Sequence, residues 1–311
     1  MTAEGIAPHA IAGTSLAATP ELAGIVLALG APEAAIDAVR SLLAQDPPVE
    51  VVVVNSGGGG MAAKLRAAGL AVPVVERDER LFVGAARNLG IAVTRAPLVG
   101  FLAADCQAAP GWSRHRIAAH RSGAAAVASA VVPSHRRNPI AWASHLALYR
   151  RRLPRIAPKN AALYGASYDR TLFAEYGVFR EDLRVGEDTE FLARLRPEHR
   201  PVWAPKVRAI HNSPTSIAAL LRDQYARGLR ASDSAWTVSG KRIPYGPRWT
   251  YLQVRSTIRM SRRLATKRDR RAVRIAWLLL PIAIGVYTLG GAVATRRRER
   301  RTRRETTVRA E

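Results

Sequence analysis

Cysteine is almost missing from this chain: of 311 residues, Cys106 alone is one. A single thiol excludes an internal disulfide framework and fits a reducing compartment. Asp105 beside it disfavours a thiolate, so Cys106 reads as a small apolar filler. Acids are also scarce, 24 against 48 Lys and Arg, and the shortage is local. From Lys241 onward there are 20 basic and 4 acidic residues, so the net charge of +24 describes a tail more than a fold. A secretory signal is absent from the start: Met1–Pro20 has no basic region, and its apolar residues are scattered among Gly, Thr and Pro. A loose leader is expected over residues 1–21. No internal repeat is visible. Charge is missing altogether from Ile275–Ala294, IAWLLLPIAIGVYTLGGAVA, a 20-residue stretch long enough to cross a hydrocarbon core. Arginine clusters flank both of its ends and leave no polar face, which argues against the buried helix of a soluble protein.

Ahead of that tail, strands and helices alternate. Gly24–Leu29 reads as a buried strand, and Ile36, Val39 and Leu42 recur at helical spacing over Glu33–Ala44. Glu50–Asn55 is a β-branched strand, followed by Ser56 and four glycines that lack the Gly-Lys-Ser/Thr ending of a phosphate-binding P-loop. They read as a flexible turn. Val72–Glu76 is a third strand and Gly84–Thr94 a helix. Leu98–Ala103 is a central strand running into Asp105 and then a Pro-Gly turn. Further on, Ala124–Val132 and Pro201–His211 are strand-like, and three acids crowd a helix start in Val185–Leu195. This alternation predicts an α/β fold, a Rossmann-like, mostly parallel sheet with helices on both faces. Asp105, just past a central strand, lies where open α/β sheets bind ligands.

Five stretches, in order, resemble the family 2 glycosyltransferases of the GT-A fold. They are Asn55-Ser56-Gly57, GAARNLGIA at Gly84–Ala92, GFLAADCQAAPGW at Gly100–Trp112, EYGVFREDLRVGEDTEFLARL at Glu175–Leu195 and IHNSPTSIAALLRDQYARG at Ile210–Gly228. The resemblance covers roughly residues 22–230. It implies an inverting hexosyltransferase-type enzyme that uses a nucleotide-sugar donor and a divalent cation, Mg²⁺ or Mn²⁺. By the same resemblance Asp188 is the general base and Glu187 orients it or the acceptor. Asn55, Gly84, Arg87 and Asp105 are placed on the donor side, and Asp105 and His211 are metal ligands. For Arg87 a position on the helix surface is equally open, as is a plain strand-end role for His211. Ala103 stands where the family's first Asp of Asp-x-Asp is usual, and Cys106 where a further acid often follows. A degenerate, membrane-attached sugar- or nucleotide-binding relative is the competing reading.

The organisation expected is a leader (1–21), a GT-A domain (22–230), a basic juxtamembrane linker (231–274), a transmembrane or re-entrant helix (275–294) and a basic tail (295–311). A single span is expected, at the cell membrane, with the catalytic domain on the cytoplasmic side. Cell-envelope synthesis and a glycan or lipid-linked acceptor follow from that placement. Nucleic acid is not expected as a partner. The arginine runs adjoin an apolar segment, no aromatic-interleaved basic motif occurs, and anionic headgroups account for the same residues.

Overall fold

The computed structural model describes residues 19–239 and 243–310. The expected leader lies outside the described residues up to residue 18. The runs of Val, Ile and Leu form the strands β1 (Leu22–Leu29), β2 (Glu50–Ser56), β3 (Val74–Arg77) and β4 (Leu98–Ala103). A three-residue strand, β5 (Cys106–Ala108), follows, then β6 (Ala126–Pro133), β7 (Ala166–Asp169) and β8 (Val202–His211). They make one eight-stranded sheet in the order β3-β2-β1-β4-β7-β6-β8-β5. β1 pairs in parallel with β2 and β4, β2 with β3, and β6 with β8. The β4–β7, β6–β7 and β5–β8 pairs are antiparallel. The chain leaves β1 toward β3, then crosses back to β4 on the other side of β1. That reversal is the switch point at which ligands bind beyond the strand ends.

Both faces of the sheet are covered. On one, α1 (Ala34–Leu43), α2 (Met61–Ala67) and α4 (Trp112–Arg121) supply Val39, Leu42, Met61, Leu65, Trp112 and Ile117 to a core under β1 and β2. On the other, α3 (Val83–Val93), α6 (Thr171–Tyr176) and α7 (Glu187–Arg194) close over Ile25, Val52, Val54 and Phe101. An aromatic group of Tyr168, Phe173, Phe179 and Phe191 fills that second layer, with rings about as close as 4.8 Å.

A third core lies to the side. Asn138 caps α5 (Pro139–Tyr149) by accepting from the amides of Ile140 and Ala141, and Pro139 needs no amide partner there. α5 packs with α8 (Ile217–Ser239), α9 (Pro247–Leu264) and α10 (Arg270–Ala310) around Trp142, Leu146, Leu220, Val273 and Leu280. The segment expected as a basic linker is therefore largely helical. α8 runs past residue 230, and α9 and the first turn of α10 account for most of the rest. α10 is long and apolar enough to cross a membrane. It is also packed against the domain, because its small residues let other helices approach.

Candidate active site

β4 ends level with its neighbours: Leu27 lies opposite Ala103 and Ala28 opposite Asn55. Asp105 therefore emerges just beyond the strand ends. β5 then pairs antiparallel with β8, setting Cys106 opposite His211. This register brings Asp105 and His211 together, with Oδ2 of the acid 3.4 Å from Nε2 of the imidazole. Asp105 is half-exposed and His211 buried. Nδ1 of His211 shares a hydrogen bond of 2.9 Å with the Ser213 hydroxyl, and the Tyr149 ring stands edge-on at 4.9 Å. Nε2 has no hydrogen-bond partner of good geometry, so it faces the acid as an unspent donor atom. Partial burial pushes the Asp105 carboxyl up. The neighbouring His211 ring, with the Arg227 guanidinium, outweighs that and holds it below the usual carboxylate range.

Asp105 and His211 open into a cavity of about 450 Å³ that is also lined by His135, Thr215, Asp223 and Arg227. Asp223 and Arg227 lie one turn apart on α8 and pair at 2.8 Å. Among the described residues no group of three His, Cys, Asp or Glu side chains is arranged to hold a metal ion. Ala103 is exposed and adds no ligand. Cys106 is buried, and burial together with Asp105 pushes its thiol well up, which suits a filler and not a thiolate.

A second cluster sits under α3 and α7. Gly186, with φ of 92°, makes the left-handed entry that starts α7 at Glu187. Phe191 and Leu195 anchor that helix in the core. Arg87, buried on α3, lies between the rings of Phe101 and Phe179, 4.9 Å from each. Its Nη2 reaches Glu187 at 3.1 Å and Asp188 at 3.8 Å. Arg87 thus faces two carboxylates, where the donor's phosphates or the helix surface were expected. The buried α3–α7 seam needs a counter-charge at that point. Burial raises the Glu187 carboxyl, Arg87 pulls it back and Asp188 pushes it up again, leaving it above its ordinary value.

The rest of the α3 motif holds the same turn. A Cβ on Gly84 would lie 2.1 Å from the Arg180 carbonyl oxygen, so only glycine fits against the acidic loop. Asn88 clamps Phe179 by donating to its carbonyl at 2.9 Å and accepting from its amide at 3.1 Å. Gly84, expected on the donor side, packs directly against the Arg180 backbone.

Asn55, expected beside the nucleotide, is 0% exposed. Its Oδ1 accepts from the Ala31 amide at 2.9 Å and its Nδ2 donates to the Gly58 carbonyl at 2.7 Å. It ties the exits of β1 and β2 together. Gly57–Gly60 all have positive φ, so the stretch read as flexible is an ordered curl that only glycine makes without strain. Asn88 and Asp223 were missed as site residues. The second had a sequence signal, an acid four positions ahead of Arg227 on an amphipathic helix.

Residues 25–176 match the family model described as glycosyl transferase family 2. No curated protein matches the chain. Among solved structures, a mannosyltransferase from Pyrobaculum calidifontis, determined with GDP-Man and Mn²⁺, is 16% identical. The match covers 88% of each chain with a TM-score of 0.53. Residues 1–349 of S. aureus TarS are 15% identical, with 87% of this chain and 92% of that one covered and a TM-score of 0.50. At such identities the likeness establishes the fold, an α/β GT-A-like architecture.

Proposed function

We propose that the chain is a glycosyltransferase that moves a sugar from a nucleotide-sugar donor to an acceptor hydroxyl, with inversion at the anomeric carbon. The observation that carries this reading is the Asp105–His211 pair. A half-exposed carboxylate and a buried, unspent imidazole nitrogen lie 3.4 Å apart at the switch point of the sheet. Two such atoms fit adjacent positions around one divalent cation, with phosphate oxygens and water completing the set. Asp105 and His211 would hold Mg²⁺ or Mn²⁺, and the bound ion would offset the charge of the departing diphosphate. His211 takes the part that Ala103 leaves open. Arg227, on the same cavity, adds a guanidinium suited to a phosphate.

The acceptor oxygen attacks the anomeric carbon opposite the leaving phosphate. The bond from that carbon to the phosphate oxygen breaks and its electron pair leaves with the diphosphate. The acceptor's proton passes to the Asp188 carboxylate, the general base. One displacement inverts the centre, as when a base activates the nucleophile in inverting glycosidases. Glu187, held by Arg87, keeps the turn in place and orients Asp188. An acceptor carried by a lipid or an envelope glycan, on the cytoplasmic side of the cell membrane, suits an enzyme attached through α10. That attachment rests on the helix's length and composition.

The melting temperature of the full-length protein, with UDP-, GDP- and dTDP-sugars and with or without Mn²⁺, tests the site. One donor is expected to raise it more with Mn²⁺ than without, and Asp105→Ala to remove the metal-dependent part. An unchanged donor response in that variant takes Asp105 out of the site. The loss of the first acid at Ala103 favours a second reading, a binding protein without turnover. Donor binding with no nucleotide released to any acceptor would establish it.

A further inference from the structure

The apolar stretch of α10 has two faces, and the protein already occupies one. Ala276, Leu280, Ala283 and Ile284 are buried against α5, α8 and α9. The approach is close. A Cβ on Gly228 of α8 would lie 2.1 Å from the Tyr287 carbonyl oxygen, and one on Gly290 would lie 2.4 Å from that of Tyr225. Polar ties run the same length: Trp277 Nε1 donates to the Ser261 hydroxyl at 2.9 Å, and the Thr250 and Thr288 hydroxyls meet at 2.8 Å. Farther along, the Ser232 and Thr295 hydroxyls also meet at 2.8 Å. α9 thus holds α10 at Trp277 and Thr288 and α8 holds it from Tyr287 to Thr295, and α8 also carries Asp223 and Arg227 on the active-site cavity. A crossing of the bilayer by α10 would draw these charges toward hydrocarbon, where ionised side chains are costly.

The opposite face is bare. Ile275, Leu278, Ile282 and Leu289 are 43%, 76%, 55% and 57% exposed, on one stripe at helical spacing. α9 adds Tyr251 and Leu252, 62% and 47% exposed. Where α9 meets α10, a cavity of about 340 Å³ is lined by Arg262, Arg270, Arg274 and Trp277. The Arg262 guanidinium lies 5.2 Å from the Trp277 ring. Among the described residues no acid pairs with these three arginines. An apolar stripe bordered by unpaired arginines is complementary to an anionic lipid surface, with tails for the stripe and phosphates for the cations.

We propose that α9 and α10 dock the protein flat on an anionic bilayer, with α10 in the plane of the interface and a lipid phosphate in the Arg262–Arg270–Arg274 cavity. This rests on the membrane attachment proposed above, replaces the span by an in-plane helix, and is independent of the transfer chemistry. It also fixes how the domain sits: α8, pressed on the inner side of α10, holds Asp223 and Arg227 of the active-site cavity close to the membrane surface.

The experiment uses the full chain with a C-terminal tag, floated with phosphatidylcholine vesicles or with phosphatidylcholine–phosphatidylglycerol vesicles. Binding to the mixed vesicles is expected to exceed binding to the neutral ones by about tenfold or more. The pair Arg270→Glu and Arg274→Glu should abolish that preference, and the pair Leu278→Glu and Ile282→Glu should abolish flotation altogether. All four side chains are exposed, so melting temperatures should hold. In sealed vesicles from expressing cells, prepared in both orientations, protease should reach the tag and the catalytic domain from the same side. Protection of the tag from that side would overturn the in-plane helix and leave the attachment standing. Failure to float with either vesicle would overturn both. A dimer that buries the stripe without binding lipid would assign the face to a second copy. Competition by inorganic phosphate as strong as that by anionic vesicles would assign the cavity to a soluble anion.

Discussion

At the residue scale, Asp188 and Glu187 share one helix start but not one environment. Glu187 is buried against Arg87, whereas Asp188 keeps 14% of its side chain exposed. The partly open carboxylate is the one proposed above to take the acceptor's proton. Asp188→Asn keeps the shape and removes the basicity, so transfer is expected to fall by roughly 10²-fold or more, as for loss of a general base. Donor-induced stabilisation and melting temperature should barely move. Near-normal turnover would leave Asp188 as a first-turn acid that only favours the helix start by its charge. Arg87 acts through its charge. It opposes the rise of the Glu187 carboxyl, so Arg87→Met should let that group stay protonated to higher pH. The acid side of the activity profile should then shift upward in pH, with donor binding unaffected. An unshifted profile would make Arg87 merely a packing residue between Phe101 and Phe179. Asp105 and His211 could be singled out from motif order alone. Arg87's partners could not, because a lone arginine on a helix carries no mark of which anion it meets.

At the scale of elements, α3 is the bracket that holds the acidic turn. Gly84, Arg87 and Asn88 all face the loop from Phe179 to Asp188. Gly84→Ala should force the two elements apart, a change of the overpacking kind that costs about 1–3 kcal/mol. The expected result is a lower melting temperature and about tenfold slower transfer, with the metal-dependent donor response retained because Asp105 and His211 lie on β-strand ends elsewhere. Gly285→Ala serves as the control, since nothing lies within 4 Å of the added methyl. Equal effects of the two substitutions would remove α3 from the bracket role. β1, β2, β4 and β6 were legible because their apolar runs are buried on both faces. β5 was not, being three residues long and defined by its pairing with β8. The α8–α10 contact was hidden for a related reason. Gly228, Gly290 and Gly291 are apolar or neutral on any scale, and their meaning appears only when backbones meet.

At the scale of the molecule, the length of an uncharged stretch does not reveal which solvent it meets. Ile275–Ala294 reads as a span, yet its inner face completes a protein core shared with α5 and α8. Along α10, Val273, Leu280 and Ile284 are nearly inaccessible, and burying such side chains contributes roughly 1.5–3 kcal/mol each, about 4.5–9 kcal/mol together. That is comparable to the lower end of the net stability of a typical domain, about 5–15 kcal/mol. An ion pair fixes the start of that helix: Asp269, 3% exposed, meets the part-exposed Arg136 at 2.5 Å just ahead of α10. A chain cut before Arg270 is therefore not expected to behave as a trimmed, soluble enzyme. It should lose α8's backing, displace Asp223 and Arg227 from the cavity, and melt well below the full chain or aggregate. Soluble yield, melting temperature and the donor-plus-Mn²⁺ shift of the shortened and full chains measure this directly. Full-length Leu278→Glu separates lipid contact from folding, since it alters the exposed stripe and spares the core. If the shortened chain melts and turns over like the full one, α10 is an appendage, and the active site stands on the sheet and its two covering layers alone.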